Sequence, residues 1–170
     1  NPELSHRLLN LITDTIISYL KDKIRAGVDL VQLFDSWAGI LTPVQYTEFA
    51  IPYISRICKA INDVPVTVFS KGAWFALEEI STLNCEVVGL DWNILPSVAK
   101  EKTGGKKILQ GNLDPCCLYA ATEVIRKSTV EMMQSFGNKH IVNLGHGVYP
   151  DTPLDNVRVF VDTVRAYSYK

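Results

Sequence analysis

No apolar run in this chain approaches the roughly 20 residues needed to cross a bilayer, and no block of like charge breaks its surface. The 17 Lys and Arg stand against 18 Asp and Glu, a net charge of −1. That balance excludes the basic stripe of a nucleic-acid binder and the cationic face that an anionic membrane attracts. Cysteine is sparse. Cys58, Cys85, Cys116 and Cys117 form no C-x-x-C pair, and no histidine stands at zinc-finger spacing, so reduced thiols are expected and a structural metal is not. No glycine pattern matches a dinucleotide or P-loop fingerprint, because Gly104-Gly105 precedes a strand rather than a helix. The opening residues, NPELSHR, lack the basic and apolar regions of a secretory signal. What these absences leave is a soluble, cytoplasmic chain with neither nucleic acid nor membrane as partner.

Apolar residues, by contrast, are plentiful. They make up 47% of 170 residues, and a chain of this size buries roughly 70% of its unfolded surface around a single core. One domain, or part of one, is expected. From Leu4 to Arg25, Leu8, Leu11, Ile12, Thr15, Ile16, Tyr19 and Leu20 recur at helical spacing. Gly27 stops that helix. Val28 to Phe34 is a β-rich run of strand length, with Asp35-Ser36-Trp37-Ala38-Gly39 as its turn. Thr42 and Pro43 open a second helix running to about Asn62, in which Pro52 predicts a kink or a break into two pieces.

The same unit then repeats. Val66 to Phe69 is a strand, Ser70-Lys71-Gly72 its turn, and Trp74 to Leu83 a helix. Glu86 to Leu90 follows as a strand leaving through Asp91-Trp92, and Pro96 to Lys102 is a short helix. Lys107 to Gln110 is the fourth strand, with Gly111 to Pro115 as its turn and a helix from Thr122 to Phe136 behind it. Ile141 to Leu144 is the fifth, broken by Gly145-His146-Gly147 before a last helix over Leu154 to Tyr167. Strands joined by helices run parallel and need both faces covered, or closure into a barrel. Each strand ends in a polar turn: Asp35-Ser36, Ser70-Lys71, Asp91, Asn112 to Asp114, then His146. That arrangement suits a (β/α)8 TIM barrel, whose active site is built from those loops. Five βα units are present where a barrel needs eight, so the expected fold class is α/β, a portion of such a barrel.

Those turns carry a resemblance. DSWAG at 35 to 39, GLDW at 89 to 92, LQGNLDP at 109 to 115 and NLGHG-x-x-P at 143 to 150 resemble, in order and over essentially the whole chain, the carboxyl-terminal half of the uroporphyrinogen decarboxylase family. The resemblance implies removal of the four acetate carboxylates of uroporphyrinogen III as CO2 to give coproporphyrinogen III in haem biosynthesis, with no metal or organic cofactor. It also implies a homodimer in the intact enzyme. By the same resemblance, an arginine-rich binding segment, a pocket tyrosine and the aspartate that meets the pyrrole nitrogens belong to the half preceding this chain.

Matched position by position, Ser36 falls on a family serine that hydrogen-bonds a substrate carboxylate, and His146 on the pocket histidine. Read from the residues alone, Ser36 is equally a turn-capping hydroxyl and His146 a side chain satisfying a nearby carbonyl. Asp91, Asp114, Lys71 and Asn143 are weaker candidates for substrate contact: Asp114 precedes Pro115 and reads as a cap, a lone lysine after a strand is often simply solvated, and Asn143 would buttress the histidine turn. Trp37, Trp74 and Trp92 read as packing residues, with Trp37 at a pocket rim, and His6 and His140 as surface or boundary residues. Two other readings stand beside this one. Zinc-dependent methyltransferases acting on corrinoids or thiols are relatives of the family and hold metal through a His-x-Cys pair, but after the strand at Val66 this chain has Phe69-Ser70-Lys71, and His-x-Cys occurs nowhere in it. Alternatively, the chain is an inert half-barrel whose open edges are covered by another copy or by the missing half.

Overall fold

The computed structural model describes residues 1–169. Helix α1 spans Pro2–Arg25, opened by the Asn1 side chain, which accepts from Leu4 N–H, and by Pro2 in the first turn, where a missing N–H costs nothing. Strand β1 follows at Val31–Asp35. Helices α2 (Pro43–Phe49) and α3 (Ile51–Ala60) replace the single helix expected there. Pro52 explains the break: its ring would collide with the carbonyl four residues back, so the chain leaves helical geometry at Ala50 (φ −120°, ψ −57°) and restarts with the proline in a first turn. A reciprocal cap between Thr42 and Gln45 starts α2.

Beyond it come β2 (Val66–Ser70), α4 (Leu77–Ser81), β3 (Val87–Gly89), α5 (Pro96–Lys102), β4 (Ile108–Leu113), α6 (Thr122–Phe136), β5 (His140–Leu144) and α7 (Leu154–Ala166). The helix expected from Trp74 is a 3-10 turn, Trp74–Ala76, running into the short α4. Strand order is β1-β2-β3-β4-β5. Pairing of β1 with β2 is parallel, with Asp35 opposite Ser70, and β4 with β5 is parallel, with Leu113 opposite Leu144. The chain divides into two compact units, Asn1–Val88 and Gly89–Lys170, with the boundary inside β3.

In the first unit the core is built by Val66, Val68 and Phe69 of β2 with Ile54, Ile57 and Cys58 of α3 and Leu77 and Ile80 of α4. All of β2 but its last residue is buried, as a parallel strand covered on both faces requires. In the second, Leu109 and Leu113 of β4 bury with Ile125, Met133 and Phe136 of α6 and Ala99 of α5. Helix α1 departs from expectation. It buries Thr13 and Leu20, whereas Leu8, Leu11, Ile12 and Tyr19 stay exposed. Apolar residues occupy more than one stripe of this helix, and spacing alone does not say which stripe meets the core. Among the described residues no helix is long and apolar enough to cross a membrane.

Candidate active site

The turn after β1 is zipped to the turn after β2. Lys71 N–H donates to the Asp35 carbonyl (2.9 Å) and Gly39 N–H to the Lys71 carbonyl (2.9 Å). The two segments approach so closely that a Cβ on Gly39 would stand 2.9 Å from the Gly72 Cα, and Gly72 itself sits at φ +75°. Only glycine at both positions permits this contact. It presents Ser36 and Trp37 to solvent, both exposed. Trp37 is 75% exposed and Trp74 52%, so these two are not the packing residues their size suggested. Phe34, the residue but one before Ser36, is likewise 71% exposed. Lys71 is half-buried.

Beneath that turn lies a polar cluster. Tyr46 of α2 is fully buried, and its hydroxyl donates to Ser70 Oγ (2.7 Å) at the end of β2. The Asp35 carboxylate stands beside the same phenol and beside Trp37 N–H, either of which can donate to it. Burial pushes the Asp35 carboxyl above its ordinary value, with those two donors pulling the other way. The Tyr46 phenol is held far above its own, chiefly by burial.

The second unit sets its turns by different means. Asp91, after β3, is buried, and its Oδ1 accepts from Asn93 N–H (2.8 Å). Asp114 takes the capping role, accepting from Cys116 N–H (2.8 Å) at the head of a 3-10 turn over Pro115–Tyr119. Asn112, expected in a turn, lies inside β4, whose strand runs to Leu113. Its buried amide donates to the carbonyls of Asp91 (2.9 Å) and Ile94 (2.8 Å), which holds the exit of β3 in place and lets β4 continue.

His146 follows β5 and is exposed, its ring edge-on to Trp92 with centroids 6.2 Å apart. Gly145 makes that approach possible, since a Cβ there would lie 2.5 Å from Trp92 N. Asn143 Oδ1 accepts from the adjacent Leu144 N–H (2.8 Å), a local bond at the end of the strand that leads into the histidine turn. Farther along, Tyr119 donates to Asp151 Oδ1 (2.6 Å), tying the segment beyond His146 to the turn after β4.

Sequence reasoning placed Asp35 in the polar turn but gave it no role of its own, and it missed Tyr46 as a polar residue of the site. Tyr46 reads as one more apolar residue on an amphipathic helix, and the signal that could have found it is a phenol where a phenyl ring would pack as well. A cavity of about 410 Å3 in the first unit is lined by Leu9 and Ile16 of α1, Phe34 and Asp35 of β1 and Tyr53 and Ile57 of α3, so it reaches the Asp35 end of the strand. Among the described residues no three His, Cys, Asp or Glu side chains gather as a metal site would require.

Parallel strands that discharge polar turns from their carboxyl ends define this chain as part of an α/β barrel, the carboxyl-terminal portion of a (β/α)8 fold. A methyltransferase from Methanosarcina mazei shares this fold, with a TM-score of 0.81 over 89% of this chain and 46% of that one, at 20% identity. The family follows from sequence: the family model for uroporphyrinogen decarboxylase (URO-D) matches residues 1–167, and the chain belongs to that family. It is 47% identical to the uroporphyrinogen decarboxylase of Flavobacterium johnsoniae, over 98% of this chain and 50% of that protein. Against those of Schizosaccharomyces pombe and Homo sapiens it is 43% identical, again over 98% of this chain, covering 50% and 48% of theirs. The chain thus spans about half the length of the curated relatives it matches.

Proposed function

We propose that the enzyme containing this chain is a uroporphyrinogen decarboxylase, a carboxy-lyase converting uroporphyrinogen III to coproporphyrinogen III, working in the cytoplasm as a homodimer. The observation that carries the reading is the family match over residues 1–167, and the four motifs quoted above fall at or beside the carboxyl ends of strands. The chemistry asks for the groups found there. Protonating a pyrrole carbon creates a cation, the C–C bond to the acetate carboxylate breaks, and its electron pair neutralises that cation as CO2 leaves. A second proton then turns the exocyclic methylene into methyl while the ring carbon gives up the first. The enzyme must hold a substrate with eight carboxylates without neutralising the cation's partner.

Ser36, exposed in the DSWAG turn, donates a neutral hydrogen bond to one carboxylate. His146 pairs with another as a cation or donates as a neutral ring. The exposed rings of Phe34 and Trp37 offer the pyrrole faces of the macrocycle an apolar surface. Lys71 stands at the next turn as a further carboxylate partner, while buried Asp91, capping Asp114 and strand-bound Asn143 act as supports. In the full-length enzyme, Ser36→Ala and His146→Ala should each lower kcat/KM about tenfold, the loss of one hydrogen bond to a charged group, and partly decarboxylated products should accumulate in a chromatographic assay. Wild-type kinetics in both variants would remove these residues from the site.

A further inference from the structure

The first unit contains an arrangement that packing does not require. A fully buried phenol, Tyr46, is spent on two polar partners, Ser70 Oγ at 2.7 Å and the Asp35 carboxylate. Asp35 is itself half-buried. Phenylalanine at 46 would fill the same space, since the ring already packs edge-on against Phe75 at 5.8 Å. An apolar residue at 35 would avoid the desolvation that raises this carboxyl. A cost carried immediately before Ser36, at the carboxyl end of a strand, marks a functional demand.

The connectivity shows what the cluster does. The Asp35 side chain accepts from Trp37 N–H, so it spans Ser36 and closes the turn over it. The Asp35 carbonyl accepts from Lys71 N–H, and Asp35 lies opposite Ser70 in the strand register. Tyr46 joins the two strand ends from below. Gly39 N–H to the Lys71 carbonyl and Ile40 N–H to the Trp37 carbonyl hold the far side of the turn, while Asp35 holds the near side through its carbonyl and its carboxylate, and Tyr46 bears on that carboxylate.

We propose that Tyr46 and Asp35 are positioning residues, which hold the Ser36 turn in the geometry that receives a substrate carboxylate, with Ser70 setting how much of the phenolic proton Asp35 obtains. This rests on the assignment of Ser36 to substrate binding made above. The relay works when Asp35 is ionised, because the carboxylate is the stronger acceptor for Trp37 N–H and for the phenol, whereas a protonated carboxyl must also place a proton of its own. The titratable and charged groups around it are Tyr46 from α2, Lys71 from the turn after β2 and Glu79 from α4, which faces the phenol and is engaged by Thr47 Oγ1 at 2.9 Å.

The test is the pH profile of kcat/KM in the full-length enzyme, with Ser36→Ala as reference. Tyr46→Phe removes a donor from Asp35, so the carboxylate is less favoured and the acid limb should move to higher pH, with KM rising about tenfold and kcat little changed. Ser70→Ala leaves the phenolic proton wholly to Asp35, so the limb should move to lower pH. Asp35→Asn should abolish that limb. A merely structural cluster would lower thermal stability in all three variants without moving the limb in opposite directions. If Tyr46→Phe does not fold, the Ser70→Ala shift still decides. An unmoved limb and unmoved KM in Ser70→Ala and Tyr46→Phe, alongside an impaired Ser36→Ala, would overturn the positioning role. A silent Ser36→Ala would instead remove the underlying assignment.

Discussion

His140 shows how a single side chain ties stability to pH. Its Nε2–H donates to the Gly111 carbonyl at 2.5 Å, which fixes the tautomer, since a carbonyl only accepts. The ring stacks on Phe136 with centroids 4.1 Å apart, and Nδ1 is buried with no partner. It is thus more than the boundary residue its place before a strand suggested. Burial lowers its pKa below the ordinary 6.5, with the Lys100 charge adding and the Gly111 bond opposing. A depressed folded pKa means the unfolded chain takes up the proton first. The stability this gives is complete above 6.5 and is lost as pH falls from 6.5 through the folded value. His140→Gln keeps a donor for Gly111 but cannot titrate. Urea denaturation between about pH 5 and 8 should show a smaller loss of stability on the acid side in the variant, and parallel curves would refute the account. Asp35 has the opposite sign: its raised pKa makes stability fall as pH rises from 3.8 through the folded value.

At the scale of elements, the paired turns after β1 and β2 are the most constrained part of the first unit. Gly39→Ala places a methyl 2.9 Å from the Gly72 Cα, against backbone that has no rotamer to yield. It should cost about 1–3 kcal/mol, measurable as a lower denaturation midpoint, whereas alanine at Gly27, which has nothing within 4 Å but sits at φ +97°, should cost only the backbone strain. Much of this level was legible in the sequence. The βα alternation, the Pro52 break, the start of α5 and the end of α6 follow from periodicity, proline and glycine, which act locally. The helix after Trp74 came out shorter than expected, and β4 came out longer for a non-local reason. Asn112 continues its strand because carbonyls of Asp91 and Ile94, distant in sequence, take its amide protons. The polar turn residues were visible as motifs, but Tyr46 was not, because its partners are brought to it only by folding.

For the molecule as a whole, β1 and β5 stand at the ends of the strand order, each with one edge unpaired by another strand among the described residues. Phe34, Trp37, Ile40 and Val44 in the first unit, each over 70% exposed, add apolar surface that water tolerates poorly. We expect the isolated chain to associate with itself, or with the half of the barrel that precedes it in its relatives, and to show no decarboxylation alone. Sedimentation that finds a stable monomer, or turnover by the chain unaided, would contradict this. The Gly39 and Gly72 contact carries a lesson for anyone recombining members of this family. The two loops form one heritable block, and a crossover between them, drawn from a parent that carries a side chain at either site, delivers half of a lock without its key. Chimaeras should survive when both loops come from one parent and fail disproportionately when they do not.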